Sequence, residues 1–369
     1  MKNKKIKILI GLILILIAFK FINNYIDKRK FPLKTSVLLG EITPDNKDYL
    51  KFLKEYMIRD GGVSTEVYIE KNGVVKRNNI ILSESQGLVM EIATYLRDKE
   101  LFKNSYRYLN RNMKLFNSLY SWKIDENSNE KSKATATIDD LRIYKALLNA
   151  NFLWGGYQDD ILKLEKKIKK ALLKGYFIDF LDSGQKGDEF SIFYIDGEAL
   201  NCLEKSDSEF REVKENIKNL LKKAKINKET PFYKEVYLIN EEEFKFQENS
   251  DMLNTLLIIY NKKILDMDIK EEYEQLRNIL LRDGAIYSKY NFQGIALTNI
   301  ESSSIYGYFY IISFLQNDKE ILEKIESRLN VILGEKKNFN GMRIPISNNE
   351  KVYSFDLLIL LLASMRRER

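Results

Sequence analysis

The chain has 369 residues, 44% of them apolar, with 60 Lys and Arg set against 53 Asp and Glu for a net charge of +7. That is enough for one large domain or two ordinary ones with a real core, which excludes a disordered protein, and the mixing of both charges along the chain argues against a nucleic-acid-binding stripe. There is no histidine and a single cysteine, Cys202, which excludes the usual catalytic triads, the common zinc sites and an internal disulfide, and leaves acid–base chemistry mainly to Asp and Glu.

The N-terminus carries Lys2, Lys4, Lys5 and Lys7, then an apolar run from Ile8 to Phe19 that continues past Lys20 with Phe21 and Ile22. With Lys7 and Lys20 snorkelling at its ends, Ile6 to Ile22 is expected to span a thin hydrocarbon layer. No A-x-A site and no lipid-accepting cysteine follow it, so residues 1–30 read as an uncleaved signal-anchor and juxtamembrane linker. The basic head argues for the N-terminus inside, placing residues 31–369 outside the cell as one domain.

From Asn46 onward, apolar residues recur with a 3.6-residue period in twelve segments. These fall near 46–59, 84–98, 99–116, 138–154, 158–175, 196–205, 208–225, 250–264, 270–282, 301–316, 318–333 and 353–366. The breaks are punctuated by DGG at 60–62, KNG at 71–73, DSGQKGD at 182–188, RDG at 282–284 and NFNG at 338–341. VSTEVYIEKNGVVKR, with its Asn72-Gly73 turn, predicts a β-hairpin inserted between the first two helices. Twelve helices in consecutive pairs argue for an all-α fold closed as an (α/α)6 toroid of six helical hairpins with small β-hairpin insertions. A linear solenoid would need a fixed repeat of 30–45 residues, which the sequence lacks.

Several carboxylates stand at expected helix starts. Glu84, in LSESQGL, has no lysine or arginine near it in sequence, and Ser83 with Gln86 makes an S-x-x-Q capping box that satisfies the helix start without it. Asp139 and Asp140 open the fourth helix, where Thr137 and Asp140 form a second capping box. Asp251 follows Asn249-Ser250 at the start of the eighth. Each of them suits the positive end of a helix dipole. If the hairpins of a toroid present these ends to one central cleft, the same carboxylates become a candidate acid and base with separated pKa values. Two carboxyl groups flanking a scissile bond are what glycoside hydrolysis requires, with neither histidine nor metal.

At these residues the chain resembles glycoside hydrolase family 8, whose members are (α/α)6 inverting enzymes. LSESQGL is similar to the family's S-E-G-Q-G-Y, and LYSWKIDENSNE at 119–130 with KATATIDDLRIYKALL at 133–148 is similar to its L-x-x-W…D-x-N and A-T-D-A-D-x-D-I-A-x-A-L segments. NSDMLNTLLII at 249–259 resembles Y-D-A-x-R-x-P. The similarity runs from about Gly61 to Leu315. Leu88, Ile138 and Asn254 stand where the family has Tyr, the first Asp of D-A-D, and Arg. The chain thus resembles a divergent member, like the membrane-anchored hydrolases found beside exopolysaccharide synthases.

The resemblance implies an endo-acting hydrolase of a β-linked exopolysaccharide, with Glu84 as general acid and Asp251 as general base. Glu84 is expected in an apolar pocket that raises its pKa. Asp139 or Asp140 would hold a ring hydroxyl, with Trp122 as the main stacking platform and Tyr194 and Trp154 weaker ones, Trp154 reading first as core. The tyrosines at 306, 308 and 310 likewise read as core packing. No cofactor or metal is expected; the partners are the polysaccharide, the membrane through the N-terminal helix, and a polysaccharide synthase, with no nucleic acid. The exchanges at Ile138 and Asn254 leave an alternative, a catalytically impaired polysaccharide-binding or assembly protein of the cell envelope.

Overall fold

The computed structural model describes residues 13–14, 17–18, 44–115, 119–182, 187–334, 338–347 and 349–365. The expected membrane-spanning segment falls almost wholly outside them; among the described residues no helix is long and apolar enough to cross a membrane.

All twelve expected helices are present: α1 (Pro44–Phe52), α2 (Ser83–Tyr95), α3 (Lys99–Tyr108), α4 (Thr137–Trp154), α5 (Gln158–Ile168) and α6 (Gly197–Ser206), followed by α7 (Glu209–Lys223), α8 (Met252–Ile264), α9 (Lys270–Asp283), α10 (Ser303–Leu315), α11 (Lys319–Leu333) and α12 (Ser354–Ser364). They divide by pattern. The even-numbered α2, α4, α10 and α12 are buried nearly all round, as SSIYGYFYIISFL and SFDLLILLLAS show. The odd-numbered α3, α5 and α7 bury one stripe, for example Phe210, Val213, Ile217, Leu220 and Leu221 of α7. An all-apolar helix needs neighbours on every side, whereas an amphipathic one can form an outer wall.

The packing follows that division. α2 packs on α4, α4 on α6, α6 on α8, α8 on α10, α10 on α12, and α12 returns to α2, closing an inner ring of six. The outer helices back it: α3 on α2, α5 on α4, α7 on α6, α11 on α10 and α1 on α12. α9 joins through the Lys262–Glu272 ion pair at 2.5 Å and the edge-on contact of Tyr273 with Phe309. Close approach within the ring is bought by small residues: a Cβ on Gly307 would lie 2.8 Å from Ile359, so α10 and α12 can pack this closely only with glycine there.

The expected hairpin forms as Glu66–Ile69 and Val75–Arg77, turning through Gly73 at φ 82° with Asn72 Oδ1 accepting the Val74 N–H. It is more than an ornament. Lys351–Tyr353 adds to it as a third strand, pairing Val352 with Val67, and leads directly into α12. The end of the chain is thereby tied to the segment before α2, which helps close the toroid. Three expected helices are shorter than their periodicity suggested: α1 ends in a wider π turn at Leu53–Met57, α3 in another at Leu109–Met113, and α5 in a 3-10 turn before the short hairpin Leu172–Leu173/Tyr176–Phe177.

Candidate active site

The inner helices α2, α4, α8, α10 and α12 begin at one rim, with the Met252 N–H at the start of α8 donating to the Ser288 carbonyl and the Ser288 N–H donating to the Ile300 carbonyl just before α10, whereas α6 begins deeper, its Gly197 N–H donating to Asn261 near the end of α8. Short hydrogen bonds tie these beginnings together. Ser83 of α2 donates to Asp139 Oδ2 of α4 at 2.6 Å, Ser85 of α2 lies 2.8 Å from Ser354 of α12, and Ser302, capping α10, donates to Asp356 of α12 at 2.8 Å.

Neither expected capping box forms. Leu82 and Ala136 precede α2 and α4 with no side-chain cap. Ser83 is spent on Asp139, while Gln86 accepts the Val63 N–H and donates to the Gly61 and Ser105 carbonyls, anchoring α2 to the loop before it. Thr137 donates to the Ile178 carbonyl, and Asp140 accepts the Tyr120 N–H at 3.3 Å. Asp251, by contrast, is a true N-cap: its Oδ1 accepts from Leu253 and Asn254 at 2.9 and 3.2 Å.

Glu84 is not spare. Arg142 of α4 places Nη1 3.1 Å from Glu84 Oε1 and 3.4 Å from Asp139 Oδ1. The guanidinium is buried, and Glu84 keeps 32% of its side chain exposed at the rim. Gly87 permits this arrangement, because a Cβ there would come 3.2 Å from the Cβ of Arg142. The expected apolar pocket around Glu84 is therefore replaced by a cation and a second carboxyl. The proton-retaining group is Asp139: burial first, then the charge of Glu84, pushes it up to about 7, against the pull of Arg142 and Ser83. A carboxyl so placed is protonated through much of the range below neutrality and can donate a hydrogen bond.

Asp140, though adjacent, faces the other way, toward Tyr120; burial and then Asp139 raise it well above the carboxylate range. It belongs to the packing behind the rim. Tyr194 lies within electrostatic range of Asp139 and Glu84, and burial with those charges pushes its hydroxyl up to about 12. It meets Phe193 and the exposed Phe180 edge-on at 4.9 and 6.3 Å, forming an aromatic corner beside the acids. Trp122 is half-buried, with its carbonyl accepting the Ser83 N–H, and so stands next to the start of α2. Trp154 packs on Phe102 at 5.5 Å, as core.

Asp251 opens α8, which stands three places from α2 in the ring of six and so opposite it, beginning at the same rim. Glu235 supports it, accepting the Asp251 N–H at 3.1 Å and Asn254 Nδ2 at 2.7 Å, with its own carboxyl raised by burial. Arg142 and Glu235 escaped the sequence reading. Arg142 was within reach, since it stands three positions after Asp139 and on the same helical face; Glu235, in an irregular stretch, carried no such signal. Cys202 is half-buried with its thiol pushed up to about 11 by burial, which argues against a nucleophile. No cluster of three potential metal ligands exists among the described residues.

Comparisons with known proteins concern the sequence and the fold. The model of the glycosyl hydrolases family 8 matches residues 25–179. YdaJ from Bacillus subtilis (strain 168) is 24% identical over 294 residues, covering 77% of this chain and 79% of its own. A structure described as a novel alpha-amylase from Clostridium perfringens superposes with a TM-score of 0.79 at 27% identity, over 88% of this chain and 98% of that one. The endo-beta-1,4-glucanase CMCax from Acetobacter xylinum gives 0.63 at 15% identity, over 87% and 98%. The chain thus resembles the family 8 glycosyl hydrolases over residues 25–179 and shares its helical toroid with these solved structures.

Proposed function

We propose that the chain cleaves glycosidic bonds within a polysaccharide with inversion, Glu84 acting as general acid and Asp251 as general base. The observation that carries this reading is the Glu84–Arg142–Asp139 group at the rim where α2 and α4 begin, with Asp251 heading the helix opposite. Glu84 protonates the glycosidic oxygen as the bond from C1 breaks, the bonding electrons leaving with that oxygen. A water on the other ring face attacks C1 and gives its proton to Asp251. Asp251 commits Oδ1 to capping α8, which holds the carboxylate in place and leaves Oδ2 for that proton. Asp139, protonated up to about neutrality, donates to a ring hydroxyl. Trp122 and the Tyr194 corner offer faces for sugar stacking.

The family 8 resemblance supports a β-linked glycan as substrate. A second reading, an α-glucan, is favoured by two observations together: Ile138 occupies the position of a sugar-contacting Asp in the family motif, and the solved structure that matches at 27% identity is described as an alpha-amylase. For location we propose a single-pass signal-anchor with the catalytic domain outside the cell, beside a polysaccharide synthase; the basic head and apolar run of residues 2–22 support it. Protease added to intact cells would digest a domain so placed and spare an internal one.

The test is release of reducing ends from mixed-linkage β-glucan, carboxymethylcellulose, chitosan and soluble starch by the wild type and by Glu84→Gln. Cleavage abolished by the substitution supports the reading. Binding without new reducing ends from any polymer would support the binding-protein alternative instead.

A further inference from the structure

Beneath the rim lies a second charged group that the proposed chemistry does not use. Lys145, one turn further along α4 than Arg142, is 7% exposed and touches three carboxylates: Asp196 Oδ2 at 2.8 Å, Glu91 Oε1 at 3.0 Å and Glu198 Oε2 at 3.4 Å. These belong to α2 and α6, so one ammonium links three consecutive helices of the inner ring. Tyr95 also donates to Glu91 at 2.6 Å, and Asp196 caps α6 by accepting the Ala199 N–H at 2.9 Å. A cavity of about 40 Å³ is lined by Arg142, Lys145, Glu91 and Asp196, with Tyr260 and Tyr308 beside them. That is room for a water or for movement of a guanidinium.

The two cations of α4 therefore face five carboxylates in two tiers: Glu84 and Asp139 above, Glu91, Asp196 and Glu198 below. Arg142 lines the same cavity as Asp196; burial works against its charge, and Glu84, Asp139 and Asp196 outweigh that and hold it charged. An unpaired buried carboxylate in the lower tier would compete for it, since a buried charge without a partner is strongly unfavourable.

We propose that Lys145 is a positioning residue for the site above: by satisfying Asp196 and Glu91 it leaves Arg142 free to clamp Glu84 and Asp139. The inference rests on the hydrolase reading for its consequence in activity, but its structural content does not. In the absence of the Lys145 charge, Arg142 turns down toward Asp196, and Asp139 loses the cation that favours its carboxylate. The groups that face this cluster are Glu91 and Tyr95 of α2, Asp196, Glu198 and Cys202 of α6, Tyr260 of α8, Tyr308 of α10, and Arg142 itself.

The test compares wild type, Lys145→Met and the double variant Lys145→Met/Asp196→Asn in the full chain. The readouts are the 13C titration of the Asp139 carboxyl and, on a polymer the wild type cleaves, kcat, KM and the pH profile. Lys145→Met is expected to raise the Asp139 midpoint by about one unit and to lower kcat at least tenfold with KM little changed. The double variant, with no charge at 196 and Glu91 still held by Tyr95, is expected to recover a large part of both. If Lys145→Met does not fold, Lys145→Gln takes its place, because its amide keeps hydrogen bonds to the carboxylates without the charge. An Asp139 midpoint and pH profile like the wild type's in a folded Lys145 variant would overturn the proposal. A moved midpoint in a chain that cleaves nothing would uphold the positioning and refute the hydrolase reading.

Discussion

Nη1 of Arg142 lies 3.1 Å from Oε1 of Glu84, joining the second turn of α4 to the first turn of α2 across 58 positions of sequence. The same nitrogen faces Asp139, so one guanidinium orients both carboxyls at the rim. Removing it strands them. Arg142→Met is expected to destabilise the fold by roughly 3–5 kcal/mol, the cost of breaking a buried ion pair. Arg142→Lys keeps the charge but loses the geometry of the guanidinium, with a smaller loss of stability and a large loss of activity. Chemical denaturation and initial rates on one polymer separate the two effects.

Glu84 is partly exposed and caps nothing, and a glutamine there keeps an acceptor oxygen for Arg142 while Asp139 still faces it, so this exchange should spare the fold. Glu84→Gln is expected to keep the wild-type melting temperature within a degree or two while lowering kcat by about 10²–10⁴, the range for a general acid. Matched thermal melts and rates decide it; a variant as active as the wild type removes Glu84 from the chemistry.

Asp139 predicts a pH dependence with a definite sign. Its folded carboxyl titrates at about 7 against an ordinary value of 3.8. Between these values the folded chain binds more protons than the unfolded one, so this group's contribution is full below 3.8 and is lost as pH rises toward 7. Asp139→Asn removes the loss. Melting temperatures at pH 4.5 and pH 8 should show the variant gaining on the wild type at the higher pH, while activity falls. A wild type that gains no less than the variant between the two pH values contradicts the assignment.

Asp251 has two separable duties, cap and proposed base. Asn accepts the same capping bonds, so Asp251→Asn should leave stability nearly unchanged and abolish hydrolysis; Asp251→Ala should lose hydrolysis and a further ~1 kcal/mol of stability. Equal destabilisation by both would show that the carboxylate charge, not the cap, holds α8 in place.

Much of this architecture was legible in the sequence because the inner and outer helices obey different patterns. SFDLLILLLAS could only be surrounded, and EFREVKENIKNLL could only be a wall, so twelve helices and their pairing followed from periodicity. The place of Asp251 at the start of α8 was also legible, although the sequence showed it as a dipole residue and the structure adds that it is the N-cap. The capping boxes at Ser83 and Thr137 failed for the opposite reason: tertiary partners, Asp139 and the Ile178 carbonyl, competed for the hydroxyls and won. Glu84 looked unpaired because its cation comes from another hairpin, 58 residues away, a relationship that only the closed ring creates.

The central claim is that Glu84 and Asp251 act on one glycosidic bond from opposite sides, with a water between the base and the sugar. It is tested most directly by proton NMR of the anomeric signals during the first turnovers on a polymer the chain cleaves. The account predicts that the new reducing ends first appear with inverted configuration, α from a β-linked chain or β from an α-linked one, and mutarotate afterwards. First products that keep the configuration of the broken linkage would contradict it.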